Sequence, residues 1–254
     1  MTDGTQGGRA FGEEGRRLDY GSYLRLDKLL ALQTRLTDEH DELLFIVVHQ
    51  VYELWFTQLL FELEHARAGM DGDDVREACR AFKRISIIER LLVQQVDVLE
   101  TMGPHEFAAF RSLLAPASGF QSVQFREIEF LSGSKDPGYI DRIDTDAAER
   151  LRLERRLREP SLWDAFVALV DRRASPSLAE ILGNRDHHGE LFDLSEALLD
   201  HDEAFAMWRS RHVLMVERQI GSKPGTGGSS GASYLRGTLA KRFYPELWAV
   251  RNEL

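Results

Sequence analysis

DEHDELLFIVVHQVYELWFTQLLFELEHARA, residues 38–68, decides the fold. Phe45, Val48, His49, Tyr52, Phe56, Leu59 and Leu63 recur at three- and four-residue spacing, with no glycine or proline in the stretch. That period puts them on one face of a single long helix. Thr37 or Asp38 can cap its start, and AGMDGDD, residues 68–74, ends it.

The same period runs outward along the chain. It predicts a second helix over residues 74–99 and a shorter one after Pro104, through HEFAAFRSLL. SGF, residues 118–120, interrupts, and QSVQFREIEFL starts another helical stretch. SGSKDPGYID, residues 132–141, reads as a loop, and DTDAAERLRLERRLREP as a charged, solvated outer helix. PSLWDAFVALVDRR is helical again, and residues 190–219 form a long helical region with an expected break near DHD, residues 200–202. YLRGTL and PELWAV are two short helical pieces. No alternating strand pattern and no repeat is visible, so the expectation is an all-α, single-domain protein: residues 1–18 a flexible N-terminal tail, residues 19–254 the helical domain.

The 254 residues carry 32 basic against 42 acidic side chains, a formal charge of −10, which argues against nucleic acid and against an anionic membrane surface as partners. The start of the chain has no apolar core of a secretory signal, and LLFIVV, residues 43–48, is too short to cross a bilayer. Cys79 is the one cysteine, so no internal disulfide or cysteine-based zinc site can form; a cytoplasmic location is expected.

Four features could carry chemistry. GSKPGTGGSSG, residues 221–231, contains five glycines. It lacks the preceding strand of a dinucleotide fingerprint and the terminal Gly-Lys-Ser/Thr of a Walker loop. It is either a flexible connector or a mobile loop closing on a small ligand, with hydroxyls from Thr226, Ser229 and Ser230. His49 interrupts the apolar face of the first long helix. His212 does the same in the stripe Phe205, Trp208, His212, Met215, Gln219. Each is open to two readings, a buried hydrogen-bonded histidine or a haem ligand between facing helices, and two such histidines also allow a bis-histidine haem bundle. Arg111 shares a helical face with Phe107 and Leu114 and needs either a glutamate or a ligand carboxylate. ELEH, residues 62–65, is a single Glu-x-x-His where a di-iron bundle needs two, and no His-Glu-x-x-His occurs.

YGSYLRLDKLLALQ, HDELLFIVVHQVYELWF, FRSLLAPASGFQSVQFREIE and RHVLMVERQIGSKPGTGGSSGASYL occur in this order between Tyr20 and Leu235. Together they resemble the tryptophan 2,3-dioxygenase family over nearly the whole chain. The resemblance implies haem b held between helices, one per subunit, and insertion of both atoms of O2 across the C2–C3 bond of L-tryptophan to give N-formyl-L-kynurenine, the first step of the kynurenine pathway. It implies that His212 is the proximal iron ligand, with Trp208 packed beside it and Ser118 and Gly119 at the haem edge. It further implies that His49 meets the indole N–H, that Phe45, Phe107 and Leu114 wall the pocket, that Arg111 clamps the carboxylate, and that Thr226 contacts the amino-acid backbone. Tyr20, Tyr23 and Leu24 match a segment that reaches into a neighbouring subunit's site in a homotetramer.

Overall fold

The structure, a computed structural model, describes residues 19–143, 145–174 and 176–254. The tail expected over residues 1–18 lies outside them. The described residues contain helices and turns and no strand. In chain order the helices are α1 (Tyr20–Leu24), α2 (Leu26–Leu29), α3 (His40–Asp71), α4 (Val75–Leu99), α5 (Pro104–Arg111), α6 (Val123–Ser132), α7 (Ala147–Arg158), α8 (Leu162–Arg172), α9 (Leu178–Gly183), α10 (Arg185–Ile220), α11 (Ala232–Arg236) and α12 (Pro245–Ala249). The all-α expectation holds.

Three long helices make the frame. The short turn between α3 and α4 lays them side by side, and α10 also packs along α4. The seam continues the apolar stripe read from the sequence: Val48, Tyr52, Phe56, Leu59 and Leu63 from α3, extended by Ala66 and Met70, meet Ala78, Phe82, Ile85, Leu92 and Val96 from α4. α6 and α8 pack on α3, and α5 bridges α3 and α10. α3 as a whole is long and apolar enough to cross a membrane by length and composition, although LLFIVV alone is not. Here it is the helix on which α4, α6 and α8 pack.

Local chemistry sets the helix ends. Asp74 caps α4 by accepting from the backbone N–H of Glu77 at 3.0 Å. The start of α3 differs from expectation. Its N-cap is Glu39, which makes no side-chain cap, and Thr37 is occupied elsewhere. The buried Glu42 carboxylate accepts from Leu36 N, Thr37 N and Thr37 Oγ1 at 2.6–2.7 Å, tying the preceding segment to the first turn.

Three further expectations are corrected. α10 runs through residues 200–202 without a break; its non-helical residue is His188. Two of the three residues expected to interrupt it, His201 and Asp202, are buried and partnered, while Asp200 is exposed. His201 Nδ1 meets Glu89 Oε1 at 2.6 Å, and its Nε2 meets Ser132 Oγ at 2.8 Å. Asp202 Oδ2 accepts from Phe243 N, Tyr244 N and Trp248 Nε1 at 2.9–3.1 Å, pinning the C-terminal segment to α10. α7 is not a purely solvated helix: Leu153 is fully buried, and Arg156 lies under the surface between Glu127, Glu64 and Glu159. The loop after α6 contains a 3-10 turn, Pro137–Arg142, whose Tyr139 and Ile140 are buried beside Phe130 and Leu153.

Candidate functional site

A cavity of about 530 Å³ lies between α3, α5, α6 and α10 and is closed on one side by the loop before α11. Its volume suits a cofactor or small-ligand site. Phe45, His49, Phe107, Arg111, Leu114, Ser118, Gly119, Trp208, His212 and Thr226 all line it. Residues far apart in sequence therefore share one space. Tyr20, Tyr23 and Leu24 do not join them: they lie on α1, exposed, away from the cavity of their own chain.

His49 projects from α3. Its Nδ1 lies 2.7 Å from the carbonyl oxygen of Phe45, one turn earlier. A carbonyl only accepts, so Nδ1 carries the proton and Nε2 keeps its lone pair. Burial holds the imidazole pKa below its ordinary value, against the opposing effects of the Phe45 carbonyl and Glu53. His49 is thus a neutral acceptor, which can take a hydrogen bond from a ligand N–H.

His212 projects from α10. Burial, reinforced by the neighbouring His49, pushes its pKa down to about 4. Its ring stacks on Trp208 at 5.0 Å with 7° between the planes. Neither ring nitrogen has a hydrogen-bond partner among the described residues, unlike His49 and unlike the doubly bonded core histidine His201. A neutral imidazole with no protein partner, fixed by stacking at a cavity wall, is suited to ligate a metal.

An aromatic wall lines the α3–α5 side. Phe45 lies 4.1 Å from His49 and stacks on Phe107 at 5.6 Å, and the fully buried Phe110 backs both rings. Arg111 ends α5. Its partner is not a glutamate: its Nη2 donates to the carbonyl oxygen of Pro224 in the glycine-rich loop. Guanidinium has five N–H donors, so further acceptors can be taken.

The loop is folded down over this wall. Thr226 Oγ1 donates to Ala117 O at 2.6 Å. Its oxygen lone pairs remain able to accept from a ligand ammonium. A Cβ on Gly227 would stand 2.6 Å from Ser118 Cβ, so glycine is what permits the loop to approach residues 116–118. Gly231 has φ +64°, and a Cβ there would meet the Lys223 carbonyl oxygen at 2.4 Å. Of the hydroxyls expected from the loop, Thr226 and Ser229 line the cavity, and Ser230 lies in a separate small polar depression.

Sequence reading left several lining residues without a role. Phe125 packs on Trp208 at 5.1 Å and on Phe205 at 5.3 Å, bracing the His212 side. Arg126, Glu129 and Arg209 also reach the cavity, although all three are buried. Charged residues on apolar helix faces were the available signal, as they were for Arg111.

A family model described as tryptophan 2,3-dioxygenase matches residues 3–184 and 178–254. A tryptophan 2,3-dioxygenase of Nocardioides sp. is 54% identical over 96% of this chain and 98% of its own length. Those of Herpetosiphon aurantiacus and Caulobacter vibrioides are 47% and 40% identical, each over 93% of this chain and 98% of their own length. With the match extending over nearly the entire sequence, the chain belongs to the tryptophan 2,3-dioxygenase family.

Proposed function

We infer that the protein is a haem-dependent dioxygenase that inserts both oxygen atoms of O2 across the C2–C3 bond of L-tryptophan. The product is N-formyl-L-kynurenine, and the reaction opens the kynurenine route of tryptophan degradation. The observation that carries this reading is the convergence of His49, Arg111, Thr226 and His212 on one cavity. The first three match, group by group, the indole N–H, carboxylate and ammonium of an amino acid with an indole side chain.

The donor set fits a haem b. His212 offers a neutral, otherwise unpartnered imidazole, Trp208 and Phe125 fix its wall, and Ser118 and Gly119 lie at the cavity's edge. When bound, the haem supplies the centre that takes up and activates O2. The chain's own residues position the substrate. Arg111 holds the carboxylate while still bonded to Pro224, so substrate and loop are tied to one guanidinium. Thr226 accepts from the ammonium while donating to Ala117. Phe45, Phe107 and Leu114 confine the indole, and His49 Nε2 accepts from its N–H and sets the ring's orientation. The closed loop excludes water from the reacting ring.

Residues 19–254 act as one catalytic unit in this reading, in the cytoplasm. The exposed Tyr20, Tyr23 and Leu24 then complete a neighbouring subunit's site in a homotetramer. The test is an anaerobic reconstitution with haem, followed by reduction, L-tryptophan and air. N-formylkynurenine formed without continued reductant supports the reading. A ferrous spectrum indifferent to tryptophan and to carbon monoxide would instead mark a bis-histidine electron carrier.

A further inference from the structure

Three arginines and two glutamates line the cavity: Arg111, Arg126, Arg209, Glu53 and Glu129. Glu53 is hydrogen-bonded to Gln124 at 2.9 Å. Glu129 is shared: Arg126 Nη1 donates to its Oε2, and Arg209 Nη2 to its Oε1 at 2.9 Å. Two buried cations thus divide one carboxylate. Arg126, Glu129 and Arg209 are 7%, 4% and 3% exposed, so water does little to offset the excess positive charge.

The remaining contacts of the two guanidiniums are neutral. Arg209 Nη1 reaches the carbonyl oxygen of Lys241 at 3.3 Å, and its plane lies over Phe205 and Phe243. Arg126 lies 3.6 Å from the centroid of Tyr139 and also faces Phe120 and Phe125. Its buried Nε has no partner, and beyond Glu129 it has no hydrogen-bond acceptor among the described residues. Rings stack well on a guanidinium but supply no counter-charge. A buried cluster with one positive charge in excess and unused donors on a cavity wall is complementary to an anionic ligand group.

Position narrows the ligand. Arg209 precedes His212 by three residues on α10, a spacing that places the two side chains as neighbours along the helix. Arg111, the clamp for the amino-acid carboxylate, comes from α5 and is engaged with the glycine-rich loop. We propose that Arg126 and Arg209, bridged by Glu129, form a second carboxylate subsite that holds a carboxylate of the porphyrin whose iron His212 ligates. The subsite rests on the haem reading above and sets the in-plane orientation of the cofactor, which a single axial histidine leaves free to rotate.

The test compares haem with its dimethyl ester, which keeps ring and iron but lacks the carboxylates. Binding is followed by Soret absorbance on the purified full chain. The unmutated protein is expected to prefer haem by at least about tenfold, as for loss of one charge-assisted contact. Arg209→Met is expected to abolish that preference while binding the ester as before. Arg111→Ala is expected to keep the preference, and decides the matter even if Arg209→Met does not fold, because Arg126 and Arg209 are then the arginines left on the cavity wall. Equal affinity of the unmutated protein for both porphyrins, loss of the preference in Arg111→Ala, or its retention in folded Arg209→Met would each overturn the subsite while leaving the haem reading intact. No uptake of either porphyrin would overturn the haem reading itself, and the subsite with it.

Discussion

Arg111 at the end of α5, the proposed carboxylate clamp, donates a hydrogen bond to the carbonyl oxygen of Pro224 in the loop that covers the cavity. A second bond, from Thr226 to Ala117, fastens the same loop nearby. In the proposed reading, substrate recognition and loop closure are therefore mechanically connected.

That connection sets the expectation for Arg111→Ala. Haem content should stay normal, since His212 is untouched. Tryptophan binding should weaken by about 2–5 kcal/mol, from the loss of a charged pair. The loop around Pro224 should also become more susceptible to proteolysis. Equilibrium titration with tryptophan and limited proteolysis check the two halves separately. Unchanged affinity would remove Arg111 from the clamp.

Gly227→Ala tests closure without removing a binding group. The added Cβ would stand 2.6 Å from Ser118 Cβ, so the loop or residues 116–118 must shift. Overpacking of this kind costs about 1–3 kcal/mol, here charged to the closed state. The expected result is a kcat/KM lowered by about tenfold with thermal stability little changed. Gly189→Ala on α10, where a Cβ meets nothing within 4 Å, is the matched control and should be neutral.

The two cavity histidines give the protein without haem a defined pH dependence. Burial lowers the pKa of His49, and lowers that of His212 from 6.5 to about 4. Between these values the unfolded chain binds protons that the fold excludes. Stability is then full above about pH 6.5 and falls as the pH drops toward 4. His212 contributes about 1–3 kcal/mol to that fall, less than its full shift because the ring opens onto the cavity. Urea denaturation at several pH values measures it, and His212→Leu should flatten the curve.

Asp202 is expected to matter for stability and not for chemistry. One of its oxygens serves two backbone N–H groups and the Trp248 indole. Asp202→Ala leaves these donors unpaired and should cost about 3–5 kcal/mol. Thermal denaturation reads this directly. Any folded enzyme that remains should keep its KM for tryptophan.

Much of the fold was legible because the stripes on α3 and α4 recur at helical spacing, and burial follows that spacing. The errors share a cause. Residues 200–202 looked like a solvent break because three polar residues stood together. Asp200 is exposed, but His201 and Asp202 are satisfied from far along the chain, by Glu89, 112 positions from His201, and by the backbone near Phe243, 41 positions from Asp202. α7 looked fully solvated because the glutamates that surround Arg156 lie on other helices or past its end. Individually, His49, Arg111 and His212 were visible as polar groups on apolar faces. Their convergence was not, since spacing along one helix says nothing about which faces meet. The resemblance to a family supplied that link, and the lining residues Arg126, Glu129 and Arg209, although Arg126 and Glu129 fall within a matching stretch, were given no role by it.

The most direct measurement is the fate of labelled oxygen. Haem-loaded, reduced protein is given L-tryptophan and ¹⁸O2, and the product mass is read. The expected result is N-formylkynurenine carrying both labelled atoms, abolished in His212→Ala together with haem content. A product with one labelled atom, a requirement for stoichiometric reductant, or no product from fully haem-loaded protein would contradict the assignment.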